Sequence, residues 1–174
     1  LVGSEMCIRD RLMTRRVQLV VIGTGEEKYE WFLRGLQERF GRQVSVNLCF
    51  SADLANLVYA ASDLYLMPSK SEPCGLSQLM AMRFGAVPVV NATGGLKDTV
   101  PAYEGPEREG RGFTFQSYNA DDFLAAIDRA LALYYDAPAQ WQELVRHDMS
   151  QDFGWDKGAE RYMALYHKAL GDKA

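Results

Sequence analysis

The sequence is poor in the residues that tie a chain together covalently or through metal. It holds three cysteines, Cys7, Cys49 and Cys74. They are odd in number and show no Cys-x-x-Cys spacing, so neither a disulfide framework nor a zinc site is indicated, and a reducing cytoplasm is the simplest setting. Histidine is scarcer still: His147 and His167 both fall in carboxyl-terminal helical segments, away from every candidate loop. No apolar run approaches the roughly 20 residues that a membrane-spanning helix needs. Positive charge is short as well. Nineteen Lys and Arg against 23 Asp and Glu leave a net charge of −4, which argues against nucleic acid or an anionic membrane as the main partner. Internal repeats and low-complexity stretches are lacking too. What is present, 174 residues that are 48% hydrophobic and 24% charged, suits one globular domain and is short for a two-domain enzyme.

Residues 1–11, "LVGSEMCIRDR", fit badly with the rest of the chain. They have neither helical nor strand periodicity, and no apolar core of a signal peptide. Two readings stand: a foreign leader joined to a chain that begins near Leu12, or a native disordered leader. Neither carries function, and the domain is expected over 12–174.

From Arg16 the chain alternates. "VQLVVIG" (17–23) is a β-branched run closed by a glycine turn, as in a buried parallel strand. Tyr29, Leu33, Leu36 and Phe40 then recur at helical spacing, with Gly41 as a stop. "VSVNL" (44–48) reads as a strand. Leu54, Leu57, Val58 and Ala61 share the next helical face, with Ser51 as its N-cap. "LYLM" (64–67) and "VPVV" (87–90) are strands separated by a helix. This β-α-β-α-β-α-β order predicts an α/β fold, a Rossmann-like doubly wound parallel sheet. Beyond Val100 a Pro- and Gly-rich loop intervenes, and "FTF" (113–115) offers a short further strand. Additional helices complete the chain: one with Phe123, Leu124, Ile127, Leu131 and Tyr134 on a face, one over about 138–149, and a last one striped by Trp155, Ala159, Tyr162, Met163, Tyr166 and Leu170.

Open parallel sheets bind ligands beyond the carboxyl ends of their strands. Three loops qualify here. "GTGE" (23–26) lacks the third glycine of a dinucleotide fingerprint, and Glu26 stands where a diphosphate would be repelled; a plain tight turn is its simpler reading. "SKSEPCGLSQ" (69–78) is richer. Pro73 suits a first helical turn, and Gly75 lets backbone approach a ligand. The N–H groups of Cys74, Gly75 and Leu76 would meet an anion with a helix dipole behind them, and Ser77 would add a hydroxyl. Glu72 then suits the hydroxyls of a sugar; its alternative role is an exposed capping residue. "NATGGLKDTV" (91–100) again offers adjacent glycines, Gly94 and Gly95, to an anion. Its alternative is a glycine-rich turn with Asp98 at a helix start. Two anion-ready loops after neighbouring strands imply a ligand with phosphates and sugar hydroxyls, a nucleotide sugar.

"EPCGLSQLMAMRFG" followed by "VPVVNATGGLKDTV", with "DFGW" (152–155) before the last helix, closely resembles the carboxyl-terminal lobe of bacterial glycogen synthases and plant starch synthases. The resemblance runs from about Val17 to Leu170. It implies a GT-B arrangement of two Rossmann-like lobes and retaining transfer of glucose from ADP-glucose to the non-reducing end of an α-1,4-glucan; nothing in the residues suggests a metal site or a cofactor. By the same resemblance Glu72 belongs to the catalytic centre, and Cys74, Gly75, Leu76 and Ser77 hold the distal phosphate and sugar. Thr93, Gly94 and Gly95 lie nearby. Phe50 falls where the family sets an aromatic residue against adenine; its competing reading is a core phenylalanine at a strand end.

The sequence departs from the family in places. Lys70 and Ser71 replace the usual approach to the motif. Met80 stands where related transferases often place a second acid, and Asn91 and Ala92 stand where basic residues are common. The family's donor-phosphate arginine and lysine belong to a segment before "VQLVVIG". The amino-terminal lobe that would meet the glucan is likewise not in these residues, so the chain alone is expected to be inactive. A stand-alone Rossmann-like nucleotide-binding module is the alternative. It would need an acidic residue about twenty positions after its glycines to hold a ribose, and "RQVSVNLCF" (42–50) has none.

Overall fold

The computed structural model describes residues 11–106 and 109–171. The leader expected over 1–11 therefore lies, except for Arg11, outside the described residues. Arg11 ion-pairs with Asp121, and Leu12 and Met13 are buried in the main core.

The elements follow the predicted alternation: β1 (Leu19–Ile22), α1 (Glu27–Phe40), β2 (Val44–Asn47), α2 (Ala52–Ala61), β3 (Leu64–Met67), α3 (Ser77–Phe84), β4 (Val87–Asn91), α4 (Gly94–Thr99), β5 (Phe113–Phe115), α5 (Ala120–Asp136), α6 (Pro138–Ser150) and α7 (Trp155–Leu170). Local chemistry accounts for several ends. Ser51 Oγ accepts the Leu54 N–H at 3.2 Å, and Asn119 Oδ1 accepts that of Asp122 at 2.8 Å, each capping a helix start. Gly85, at φ +91°, closes α3 in the left-handed region.

Every strand pairing is parallel, as expected, but the pairing is split. Among the described residues β1 pairs only with β2, with Leu19 opposite Val44, while β3, β4 and β5 form a second ladder with Leu64 opposite Val87 and Val89 opposite Phe113. A doubly wound sheet has the order 3-2-1-4-5-6. Here β2-β1 match its first flank and β3-β4-β5 its second, and the position between β1 and β3 holds no strand among the described residues.

Burial is uneven across both ladders: β3 has no fully buried residue, whereas Val44 of β2 and Leu36 of α1 join the main core. β4 is flanked on both sides and buried at all five positions. β1, just as apolar, is nowhere fully buried, and Val20 is 43% exposed. The main core joins Val87, Val89, Phe113 and Phe115 to Phe123, Leu124 and Ile127 of α5 and to Trp141 and Leu144 of α6. A smaller cluster of Met82, Val90, Leu96 and Val100 lies under α3 and α4.

Three local expectations are corrected. On α2, Leu54 and Val58 are half-buried but Leu57 and Ala61 are exposed. Pro73 precedes the first turn of α3, which starts only at Ser77 with Leu76 as N-cap. Asp98 lies late in α4 and does not start it. The stripe of α7 is helical as predicted, yet Trp155, Tyr162, Met163, Tyr166 and Leu170 all stand exposed.

Candidate functional site

The carboxyl ends of neighbouring strands β3 and β4 send out the loops that carry the candidate residues, and the structure packs these two loops backbone to backbone. A Cβ on Gly94 would stand 2.0 Å from the Glu72 carbonyl oxygen, and one on Gly95 2.3 Å from that of Cys74. The Gly95 N–H donates to the Glu72 carbonyl at 3.0 Å. These glycines therefore permit loop-to-loop contact, which no residue with a side chain would allow. The expectation that both leave their N–H groups free for an anion is corrected for Gly95. Glu72, Cys74, Gly75, Leu76 and Ser77 are nonetheless brought together with Thr93, Gly94 and Gly95.

The turn before α3 is built differently. Gly75 is buried with φ +74°, a conformation that favours glycine, whereas Cys74 and Leu76 are exposed. The N–H groups of Cys74, Gly75, Leu76 and Ser77 have no acceptor among the described residues, and α3 has no side-chain cap. An uncapped helix start with a run of free N–H groups can receive an anion. The Ser77 hydroxyl already contacts Met67 Sδ at 3.4 Å, a weak acceptor.

Glu72 is half-buried, and its Oε2 lies 3.5 Å from Ser69 Oγ. It stands five positions before Ser77 and caps no helix, which removes the capping alternative. The carboxylate thus keeps most of its accepting capacity beside the open N–H run.

Phe50 lies after β2 and is 95% exposed, which excludes the core reading and leaves its ring face open. No hydrogen bond or ring pair joins it to the two loops among the described residues. The "GTGE" loop is closed against anions: the Gly25 N–H donates to Glu30 Oε1 at 3.0 Å, and Glu26 heads α1 in an ion pair with Lys28 at 2.9 Å. Two carboxylates, Glu26 and Glu30, thus stand at this loop and would repel a phosphate. A depression lined by Arg34, Gln37, Glu38, Val46 and Leu48 involves none of the candidate residues. His147 bonds with Gln151 on α6 and the turn after it, and His167 lies on α7; neither belongs to the two loops.

Two residues of the site escaped sequence reasoning. Asn91, buried at the end of β4, donates from Nδ2 to the Ser69 carbonyl at 2.9 Å and so braces the approach to Glu72. Gln78 is buried at the start of α3 beneath the Cys74–Gly75 turn. The available signal was a polar residue on the same helical face as the apolar Ala81 and Met82. Behind α3, Asp148 of α6 is 1% exposed; neither carboxylate oxygen accepts a hydrogen bond among the described residues, and His147 Nδ1 lies 3.6 Å from Oδ1. Burial pushes its carboxyl up to about 8, against the opposing pull of Arg111.

Residues 8–148 match the family model of glycosyl transferases group 1. The chain is 47% identical over 159 residues to a glycogen synthase of Clostridium botulinum, covering 91% of this chain and 33% of that protein. It is 45% identical over 163 residues to one of Thermotoga petrophila, covering 94% and 34%. Among solved structures it is similar to the catalytic domain of starch synthase IV from Arabidopsis thaliana, bound to ADP and acarbose, with TM-score 0.72, 29% identity and coverage of 97% of this chain and 42% of that one. HepE of Anabaena in complex with UDP-glucose shares the fold, with TM-score 0.67, 23% identity and coverage of 94% and 44%. The chain thus spans about a third of the length of the curated relatives it matches.

Proposed function

Because the chain belongs to the group 1 glycosyl transferases, we propose that it is the carboxyl-terminal, donor-binding part of a glycogen or starch synthase. It would move glucose from ADP-glucose to the non-reducing end of an α-1,4-glucan, with retention. The observation that carries this reading is the pair of knitted loops beyond β3 and β4, where free N–H groups of residues 74–77 at the uncapped start of α3 share a loop with a half-buried carboxylate, Glu72. Free backbone donors at a helix start suit a phosphate; a carboxylate suits sugar hydroxyls.

On this reading the turn from Cys74 to Ser77 receives the distal phosphate, with Thr93 and Gly94 beside it, and Phe50 stacks on adenine. Glu72 meets the glucose and offsets positive charge as the bond from the anomeric carbon to the departing ADP breaks. The acceptor glucan is held mainly by a lobe outside these 174 residues, so the chain alone binds donor without transferring glucose. Among the described residues no helix is long and apolar enough to cross a membrane. A reducing cytoplasm suits the exposed thiols of Cys49 and Cys74.

Calorimetric titration of the chain with ADP tests the donor site. Phe50→Ala is expected to lose about 1–3 kcal/mol of binding, the range of base–aromatic stacking. Gly75→Val, placed at φ +74° with its Cβ 2.5 Å from Gln78 Oε1, is expected to lose more by distorting the turn itself. Equal ADP affinity in both variants and the parent would rule out this site.

A further inference from the structure

Gln78 is 0% exposed, on the inner face of α3. Its Nε2 donates to the carbonyl of Gly75 at 3.1 Å, to Thr99 Oγ1 at 3.1 Å and to the carbonyl of Cys74 at 3.3 Å. Two hydrogens are shared among three acceptors, and the two carbonyls decide which end of the amide is nitrogen. Oε1 has no hydrogen-bond partner among the described residues and points at Gly75, 2.5 Å from where a Cβ would sit. A buried amide with an orphaned oxygen is a costly way to gain stability, since that oxygen's desolvation is set against the bonds its nitrogen makes to the carbonyls of Cys74 and Gly75. Its bonds nevertheless run to consequential places. Thr99 Oγ1 donates onward to the Gly95 carbonyl at 2.7 Å, and the Gly95 N–H holds the Glu72 carbonyl. One relay therefore links the Cys74–Gly75 turn, α4 and the backbone of Glu72.

We propose that Gln78 is a positioning residue for the donor turn. It draws the carbonyls of Cys74 and Gly75 inward and, through Thr99, locks the turn to the second loop. The N–H groups of residues 74–77 are thereby left free for the donor's phosphate. This rests on the donor-site reading above, and it deepens that reading by naming what sets the turn's orientation.

The test is ADP affinity of the chain and its variants, with thermal melting as the control for folding. Gln78→Leu is expected to weaken ADP binding about tenfold, as losing a buried hydrogen-bonded support would. Its melting temperature should fall only modestly, because the orphaned oxygen goes while the carbonyls of Cys74 and Gly75 lose one donor. Gln78→Glu keeps the shape. At about pH 5.5 its buried carboxyl is protonated and can donate; at about pH 8 the charged form faces two carbonyls. Its affinity relative to the parent should therefore approach one in acid and fall severalfold in base. Thr99→Val should show a smaller loss in the same direction. Where Gln78→Leu does not fold, Gln78→Glu decides. Parent-like affinity in Gln78→Leu, or a ratio for Gln78→Glu that is the same at both pH values, overturns the role of Gln78 while the donor site stands. A parent chain that does not bind ADP overturns both.

Discussion

The flank formed by β3, β4 and β5 and the flank formed by β1 and β2 are written in the same apolar alphabet but are buried very differently. "VPVVN" of β4 is closed to solvent throughout, whereas "LVVI" of β1 leaves Val20 43% exposed. The helices behave alike. α5 and α6 sink Phe123, Leu124, Ile127, Trp141 and Leu144 into the core, while α2 leaves Leu57 67% exposed and buries no residue fully. A parallel strand is shielded when both of its edges are paired and both of its faces are covered. β4 has both neighbours; β1 and β3 have one each. The difference teaches that like apolar runs are buried by what packs on them: β4 is closed by two strand neighbours, and β5, with one, buries Phe113 and Phe115 in the core with Phe123 of α5. The candidate site stands on the better-buried flank, which gives its loops a rigid base.

Truncations sharpen the contrast most. Leu124→Ala, in the filled core, is expected to cost about 2–5 kcal/mol, whereas Leu57→Ala on α2 should stay within about 0.5 kcal/mol. Urea unfolding of the two variants compares them directly, and similar losses would mean that both flanks are equally packed.

The buried carboxyl behind α3 gives the better-packed flank its own pH signature. The Asp148 carboxyl is pushed up to about 8 by burial, from an ordinary 3.8. Between those values the folded state keeps a proton that the unfolded state has lost, so stability falls as pH rises through the window and levels off above it. Asp148→Asn should flatten that slope and make the protein more stable near pH 8. Melting curves at about pH 5 and about pH 8 check this; an unchanged slope in the variant would place the pH dependence elsewhere.

The smallest effect belongs to a surface tie. Arg15 grips Asp128 of α5 through Nε and Nη2, each at 2.6 Å, and its guanidinium holds the Asp128 carboxyl below the usual range. That contribution is present above the ordinary carboxylate value and is lost as pH falls through the lowered one. The Asp128 side chain is 48% exposed, so Asp128→Asn should cost less than about 1 kcal/mol. A larger loss by urea unfolding would show that residues 11–17 anchor the domain more firmly than this pair implies.

The elements were largely legible because their signals are local. Ser51 announces the start of α2, and the β-branched runs announce the strands. The two loops of the candidate site stood out in the sequence too, because clustered glycine, proline and carboxylate are unusual before an apolar helix. What Gly94 and Gly95 do was not legible: whether a glycine makes room for a ligand or for another loop depends on what faces it, here the carbonyls of Glu72 and Cys74. Gln78 and Asn91 were missed for a related reason. A single buried amide looks like a flaw in an apolar pattern until its distant acceptors are known. The split between the ladders was hidden because each strand's pattern is complete in itself, and pairing is not a local property.

The central claim, that the knitted loops beyond β3 and β4 form a glucose-donor site with Glu72 at its reacting end, is tested most directly in a completed two-lobe enzyme. This chain can be joined to the preceding residues of the Clostridium botulinum relative, and Glu72→Gln compared with the parent for ADP affinity and for transfer of labelled glucose from ADP-glucose to glycogen. The account predicts ADP affinity within about twofold and turnover lowered on the order of a hundredfold or more, the scale for removing a charge that stabilises the transition state. Unchanged turnover would contradict it.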